Sequence, residues 1–183
     1  MRQSLILPMM MFGAFTRKRA KRDESGKTIK LANGKNQMKK VKVVHSEANG
    51  DPGVYPSVNE IYVRMAKGRQ RYSDPAFQLF DKWQAFVQMW MQEAGWQTTD
   101  KQKVIIELTA YFPNDKKTRD THNAFKMMMD AFTGLIYEDD EYALPRVMDF
   151  HRVKDDESPY FKIDIYTKEE ENIVLMERLA DKE

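Results

Sequence analysis

Cysteine is missing from all 183 residues, so neither a disulfide framework, a thiolate zinc site nor a cysteine nucleophile is open to this chain. Its absence fits a reducing cytoplasm, the expected location. No apolar run approaches the roughly 20 residues that a membrane span needs. The opening MRQSLILPMMMFGAF is apolar for only about a dozen residues, and it reads poorly as a signal peptide: its positive charge follows the apolar run and no small-x-small site closes it. No P-loop, Rossmann glycine motif, zinc-ligand spacing or internal repeat occurs. Nucleotide-dependent and thiol-dependent chemistries therefore have no foothold in the pattern.

Net charge is small as well, at +2, but it is unevenly spread. Residues 1–50 hold 12 Lys/Arg against 3 Asp/Glu, whereas residues 51–183 hold 18 against 25. Residues 16–37 are rich in Lys, Asn and Gly with few aliphatics, the composition of a solvated segment. The expectation is a basic, disordered extension over residues 1–37, a domain over 38–167 and an acidic C-terminal helix or tail over 168–183.

Within that domain MKKVKVV, from Met38, starts a first strand, and SEANGDPGVYPS is a loop. NEIYVRMAKGRQRY reads as two short extended pieces turning at Lys67-Gly68. Asp74-Pro75 reads as a helix start and Gly95 as its end, with Leu79, Phe80, Trp83, Phe86, Val87, Trp90 and Ala94 forming a stripe for a core or a dimer. Residues 103–112 alternate as a half-buried strand with a polar face. Residues 146–154 and 160–166 read as a hairpin, and a short helix follows from Glu169. The sum is a small α+β domain with a mixed or antiparallel sheet and packed helices.

The densest chemistry lies in RDTHNAFKMMMDAFTGLIYEDD, residues 119–140. Phe125, Met128, Met129 and Phe132 fall on one helical face, and His122, Asn123, Lys126 and Asp130 on the other. Gly134 suits the end of that helix. A helix of about 12 residues is roughly 18 Å long, and six extended residues cover about 20 Å, so Asp139 and Asp140 can return to the level of Asp120 and His122. Carboxylates and an imidazole so gathered repel one another unless a cation joins them. Oxygen-rich donors favour Mg²⁺, and the imidazole leans toward Mn²⁺. Lys126, one turn inside, offers positive charge to a phosphate.

The pattern D-x-[D/H]-N-x-x-K-x-x-x-D-A, then Gly, an apolar pair and D-D, resembles the RusA-type Holliday junction resolvases, small metal-dependent endonucleases of bacteria and prophages. The likeness runs from about residue 40 to 166. It implies a RusA-like fold, Asp120 and Asp140 as catalytic acids and Lys126 as the active-site lysine. The metal set would be Asp120, His122, Asp139 and Asp140, with His122 standing where many members have a second aspartate. It also implies paired nicks in a four-way DNA junction by a homodimer, acting in recombination and repair.

Arg64, Lys67, Arg69 and Arg71 with Tyr62 and Tyr72 form one expected DNA-facing patch, the arginines for phosphates and the tyrosines for bases. Lys116, Lys117 and Arg119 lead a second into the acidic stretch. His45 and His151 read as structural or surface residues. Two other readings stay open at this point: a non-catalytic DNA-binding protein on the same fold, and a nuclease for flaps or other branched DNA.

Overall fold

The structure, a computed structural model, describes residues 3–180. Its centre is a four-stranded sheet in the order β1 (Gln3–Pro8), β8 (Tyr160–Thr167), β6 (Val104–Phe112), β7 (Ala143–Arg152). β8 runs antiparallel to both β1 and β6, while β6 and β7 are parallel. The α+β class read from the sequence is the architecture observed.

β1 corrects the expected disordered extension. Leu5 and Leu7 alternate with Ser4 and Ile6, face Ile163 and Phe161 across the ladder, and are buried with Met9 and Met11 in the main core. Burial worth about 2 kcal/mol for each of the Leu5, Leu7, Met9 and Met11 side chains, with the ladder to β8, offsets the cost of ordering the segment. The next segment is ordered too. β2 (Gly13–Ala20) pairs with β3 (Met38–His45) over eight residue pairs to form a β-arm, and between them the chain makes two small turns at Asp23–Lys27 and Leu31–Lys35. β3 begins at Met38, as the sequence indicates.

α1 (Asp74–Ala94) packs on one sheet face. Ser73, rather than Asp74, is its N-cap, its hydroxyl accepting from the Ala76 N–H, and Gly95 ends it in the left-handed region at φ 67°. Leu79, Trp83, Val87 and Trp90 are buried in the core of this single chain. The Trp83 and Trp90 ring N–H groups donate to the Pro8 and Ser4 carbonyls, at 2.7 and 3.1 Å, which ties the helix to β1. The stripe is therefore core except at Phe86, which was expected in it but is exposed, as are Phe77 and Met89.

β7 and β8 are not a hairpin: β6 lies between them, because the parallel β6–β7 pairing makes the chain cross over before β8. Nor is the second face of β6 solvated. α3 (Glu171–Ala180) covers it, setting Val174 against Ile105 and Tyr166. There Glu107 is buried, accepting the Tyr166 hydroxyl at 2.7 Å and both guanidinium nitrogens of Arg178. α2 (Phe125–Phe132) packs beside α1, and β4 (Tyr62–Arg64) with β5 (Gln70–Tyr72) forms the expected short hairpin.

Candidate active site

The loop leaving β6 sets the site. Arg119 turns inward, only 5% exposed, and donates to both oxygens of Asp115 at 2.7 Å. Its guanidinium also lies 5.9 Å from the Phe112 ring centre. Arg152 reaches from the end of β7 to the carbonyls of Pro113, Asp115 and Lys117. The Arg119 guanidinium holds the Asp115 carboxyl at about 2, well below the usual range. Arg119 is thus a clamp rather than the phosphate ligand expected, while Lys116 and Lys117 stay exposed. A charge pair removed from solvent in this way fixes the loop because its carboxylate is matched bidentately.

Beyond the clamp the chain makes a 3-10 turn, Thr121–Ala124, before α2. Asp120 stands at its start, exposed, with a side chain that caps no N–H but accepts from Asn123 Nδ2 at 3.2 Å. Tyr55 fixes this turn from beneath, donating to the Asp120 and Thr121 carbonyls at 3.3 and 3.0 Å. Burial pushes the Tyr55 hydroxyl far above its ordinary value, so it remains a donor. The His122 side chain is exposed and has no hydrogen bond or ion pair among the described residues.

Lys126, on the exposed face of α2, donates to Asp130 at 2.6 Å, one turn along the helix. The other Asp130 oxygen accepts the Tyr72 hydroxyl, also at 2.6 Å. The Asp130 bond, aided by its charge and that of Asp140, makes Lys126 hold its proton more tightly than usual. Tyr72 stacks on Tyr62 with ring centres 5.2 Å apart and leans on Phe80. The two tyrosines expected to receive bases are therefore partnered with each other.

After α2 the chain does not run extended. Gly134 takes φ 76° in a tight turn closed by the Gly134 N–H to the Tyr137 carbonyl, which buries Ile136 and Tyr137. Asp139 then caps a second 3-10 turn, Asp140–Tyr142, accepting from the Glu141 N–H at 3.1 Å. Asp140 is exposed, and its charge is felt at Lys126 and at Tyr137. The acids nearest Asp139 crowd Glu138, whose carboxyl is raised first by a hydrogen bond with Asp100.

Among the described residues no three His, Asp or Glu side chains are grouped closely enough to hold a metal. The four-donor set of Asp120, His122, Asp139 and Asp140 is thus not assembled as a cage. Part of the reason is the turn at Gly134, which shortens the return, and part is the capping role of Asp139. Asp120 and Asn123 instead face a cleft of about 450 Å³ whose other walls bring Lys117 together with Arg17 and Arg19 of the β-arm. Neither arm arginine was identified from the sequence, although both sit on one face of a period-2 pattern inside the basic run. Asp130 was visible in the motif but was given no role, and only its i, i+4 spacing to Lys126 hinted at one.

Arg64, Lys67, Arg69 and Arg71 sit on the exposed β4–β5 hairpin, with Lys67 at φ 59° in its turn. Arg71 is engaged by Asp74 at 2.8 Å and by the Tyr72 carbonyl. His45 and His151 are structural as expected: His45 pairs with Asp51 at 2.9 Å, and His151 packs on Tyr111. No helix among the described residues is long and apolar enough to cross a membrane.

No curated protein matches the chain. Residues 52–166, more than half of it, match the family model described as Endodeoxyribonuclease RusA, and they span the clamp, the Asp120 turn, Lys126 and Asp140. The chain belongs to the RusA endodeoxyribonuclease family.

Proposed function

We propose that the protein is a structure-specific endodeoxyribonuclease that resolves four-way DNA junctions by paired nicks, in recombination and repair, working in the cytoplasm. The observation that carries this reading is an exposed carboxylate, Asp120, in a cleft shared with Arg17, Arg19 and Lys117, whose other acid, Glu60, is paired with Arg17, with Lys126 and Asp140 on the neighbouring turns. An acid with no cationic partner among the described residues weakens phosphate binding and so needs a use of its own.

Mg²⁺ commonly binds through one or two carboxylates plus substrate phosphate, so the donors present suit a cation completed by DNA better than a preformed cage. We assign Asp120 and Asp140 to Mg²⁺ or Mn²⁺. His122, exposed beside Asp120, is the further donor for Mn²⁺, and Asp139 contributes through the turn it caps. Such an ion supplies Lewis-acid stabilisation of charge on the scissile phosphate.

The chain's own groups do the rest. Lys126, kept protonated and aimed by Asp130, offsets negative charge that builds on the phosphate in the in-line transition state. Lys116 and Lys117 hold a flanking phosphate, while the Arg119–Asp115 clamp keeps Asp120 in place. Arg64, Lys67 and Arg69 on the β4–β5 hairpin contact the DNA backbone further out.

Two opposed cuts require two copies. We assign the contact to the open β7 edge, where Val147, Met148 and Phe150 are exposed in a single chain.

The test is incubation of purified protein with a synthetic four-way junction, a flap and a linear duplex, each with Mg²⁺ or Mn²⁺. Symmetric nicks in the junction, absent from the duplex, are expected. Preferential cutting of the flap would move the substrate to other branched DNA, and binding without any cutting would make the protein a non-catalytic member of the fold.

A further inference from the structure

The β-arm lies wholly outside the residues that match the nuclease family and is inserted between β1 and the matched stretch. Residues 13–45 hold eleven Lys and Arg, against only Asp23 and Glu24. Among the described residues Arg17 alone of the eleven has an acidic partner, Glu60 at 3.2 Å. Asp23 is spent on its own turn, accepting from Ser25 and from the Lys27 N–H.

The register makes this charge informative. Antiparallel partners share a face, so Arg19 stands beside Lys39 on one side of the ribbon and Lys18 beside Lys40 on the other. Like charges directly opposite destabilise a strand pair, and a solvated arm with no ligand has no reason to keep two such pairs in sequence. A polyanion removes the cost.

The arm is also rooted as a working limb. Phe15 is buried at its base, His45 pairs with Asp51, and the Met11 and Val54 backbones exchange two hydrogen bonds at 2.8 and 2.9 Å. Gly53, at φ 77°, sits where an added Cβ would fall 2.9 Å from both Met10 and Phe12, so the root is closely packed. From this root eight residue pairs project the ribbon about 27 Å. Arg17 and Arg19 line the cleft beside Asp120, and Lys39 continues the same face outward. Arg17 also keeps a buried Nε–H without a partner in the cleft wall.

We propose that the arm is a DNA-binding limb: it holds a duplex segment of the substrate through its phosphates and feeds the strand toward Asp120. A two-stranded ribbon of this kind fits the major groove, about 12 Å wide, with its cations at the groove walls. The inference rests on the nuclease reading above and adds a contact surface to it.

The test compares wild-type protein with the combined variant Lys18→Gln, Arg19→Gln, Lys39→Gln and Lys40→Gln. Binding to a labelled four-way junction is measured by anisotropy in EDTA from 50 to 300 mM salt, and cleavage is measured separately with Mg²⁺. The variant should melt no lower than wild type, since repulsion is relieved. Its log-log salt slope should shrink by about 3 to 4, and its affinity should fall at least tenfold near 0.15 M salt. Wild type that neither binds nor cuts branched DNA would fail the nuclease reading itself. Wild type that binds and cuts, beside a variant with the same slope and affinity, would overturn the arm alone. So would a variant whose only change is its sedimentation, because the arm would then be a protein contact.

Discussion

Lys126 and Asp130 stand 2.6 Å apart on one helical turn, and the second oxygen of that carboxylate takes the Tyr72 hydroxyl. The lysine is therefore aimed through a network that reaches from α2 to β5, and its charge is held in place as well as supplied. Asp130→Asn should leave the fold intact while lowering single-turnover cleavage about tenfold. Tyr72→Phe should do less, because it removes one hydroxyl and leaves the ion pair. Equal rates for wild type and Asp130→Asn would remove Lys126 aiming from the account.

The Asp115–Arg119 clamp gives a pH dependence. The carboxyl is depressed from 3.8 to about 2 in the folded state, so its stabilising contribution is complete above about pH 4 and is lost as pH falls toward 2. Urea midpoints should drop across that window. Asp115→Asn should lower stability at neutral pH by about 3 kcal/mol, since it leaves the inward-facing Arg119 without its anion, and should flatten the acid dependence. A variant with the wild-type acid profile would contradict the clamp.

Truncation separates the two parts of the N-terminal segment. Removing residues 1–8 takes away an edge strand, two buried leucines and the acceptors of the Trp83 and Trp90 N–H groups, so the cooperative thermal transition should be lost. Replacing residues 21–37 by a two-residue turn should leave a folded protein. Circular dichroism on both variants checks the pair of outcomes, and a stable protein lacking residues 1–8 would refute the assignment of β1.

On the second sheet face, Arg178→Ala should cost about 3 kcal/mol, because Glu107 is buried and would keep only the Tyr166 hydroxyl. A denaturant midpoint unchanged by this substitution would show that α3 is a loose tail rather than part of the fold.

What could be read from the sequence follows the physics of each signal. α1 was legible because its stripe repeats over several turns between a cap and Gly95. The β3 start and the β4–β5 hairpin were legible from local alternation and turn residues. Asp120, Lys126 and Asp140 were singled out by a family-like motif around one short helix. β1 was missed because a six-residue strand is too short for periodicity to separate from a methionine-rich apolar run, and its partner β8 lies more than 150 residues away. The parallel β6–β7 pairing was hidden for the same reason, since adjacency in sequence favours a hairpin. Arg119 was misread because a basic residue beside acids looks like a phosphate ligand until its partner four residues back is seen to face it. The β-arm was masked by composition, for its charge resembles a solvated tail while its register is that of a ribbon.

The most direct measurement is cleavage of a four-way junction by Asp120→Asn and Asp140→Asn, with junction binding measured on the same preparations in EDTA. Each change keeps the side-chain shape and removes the anionic charge. Cleavage should fall at least about a hundredfold, while binding holds or tightens because repulsion of the phosphate is relieved. Cleavage that persists in both variants at near wild-type rates would place the chemistry elsewhere and contradict the account.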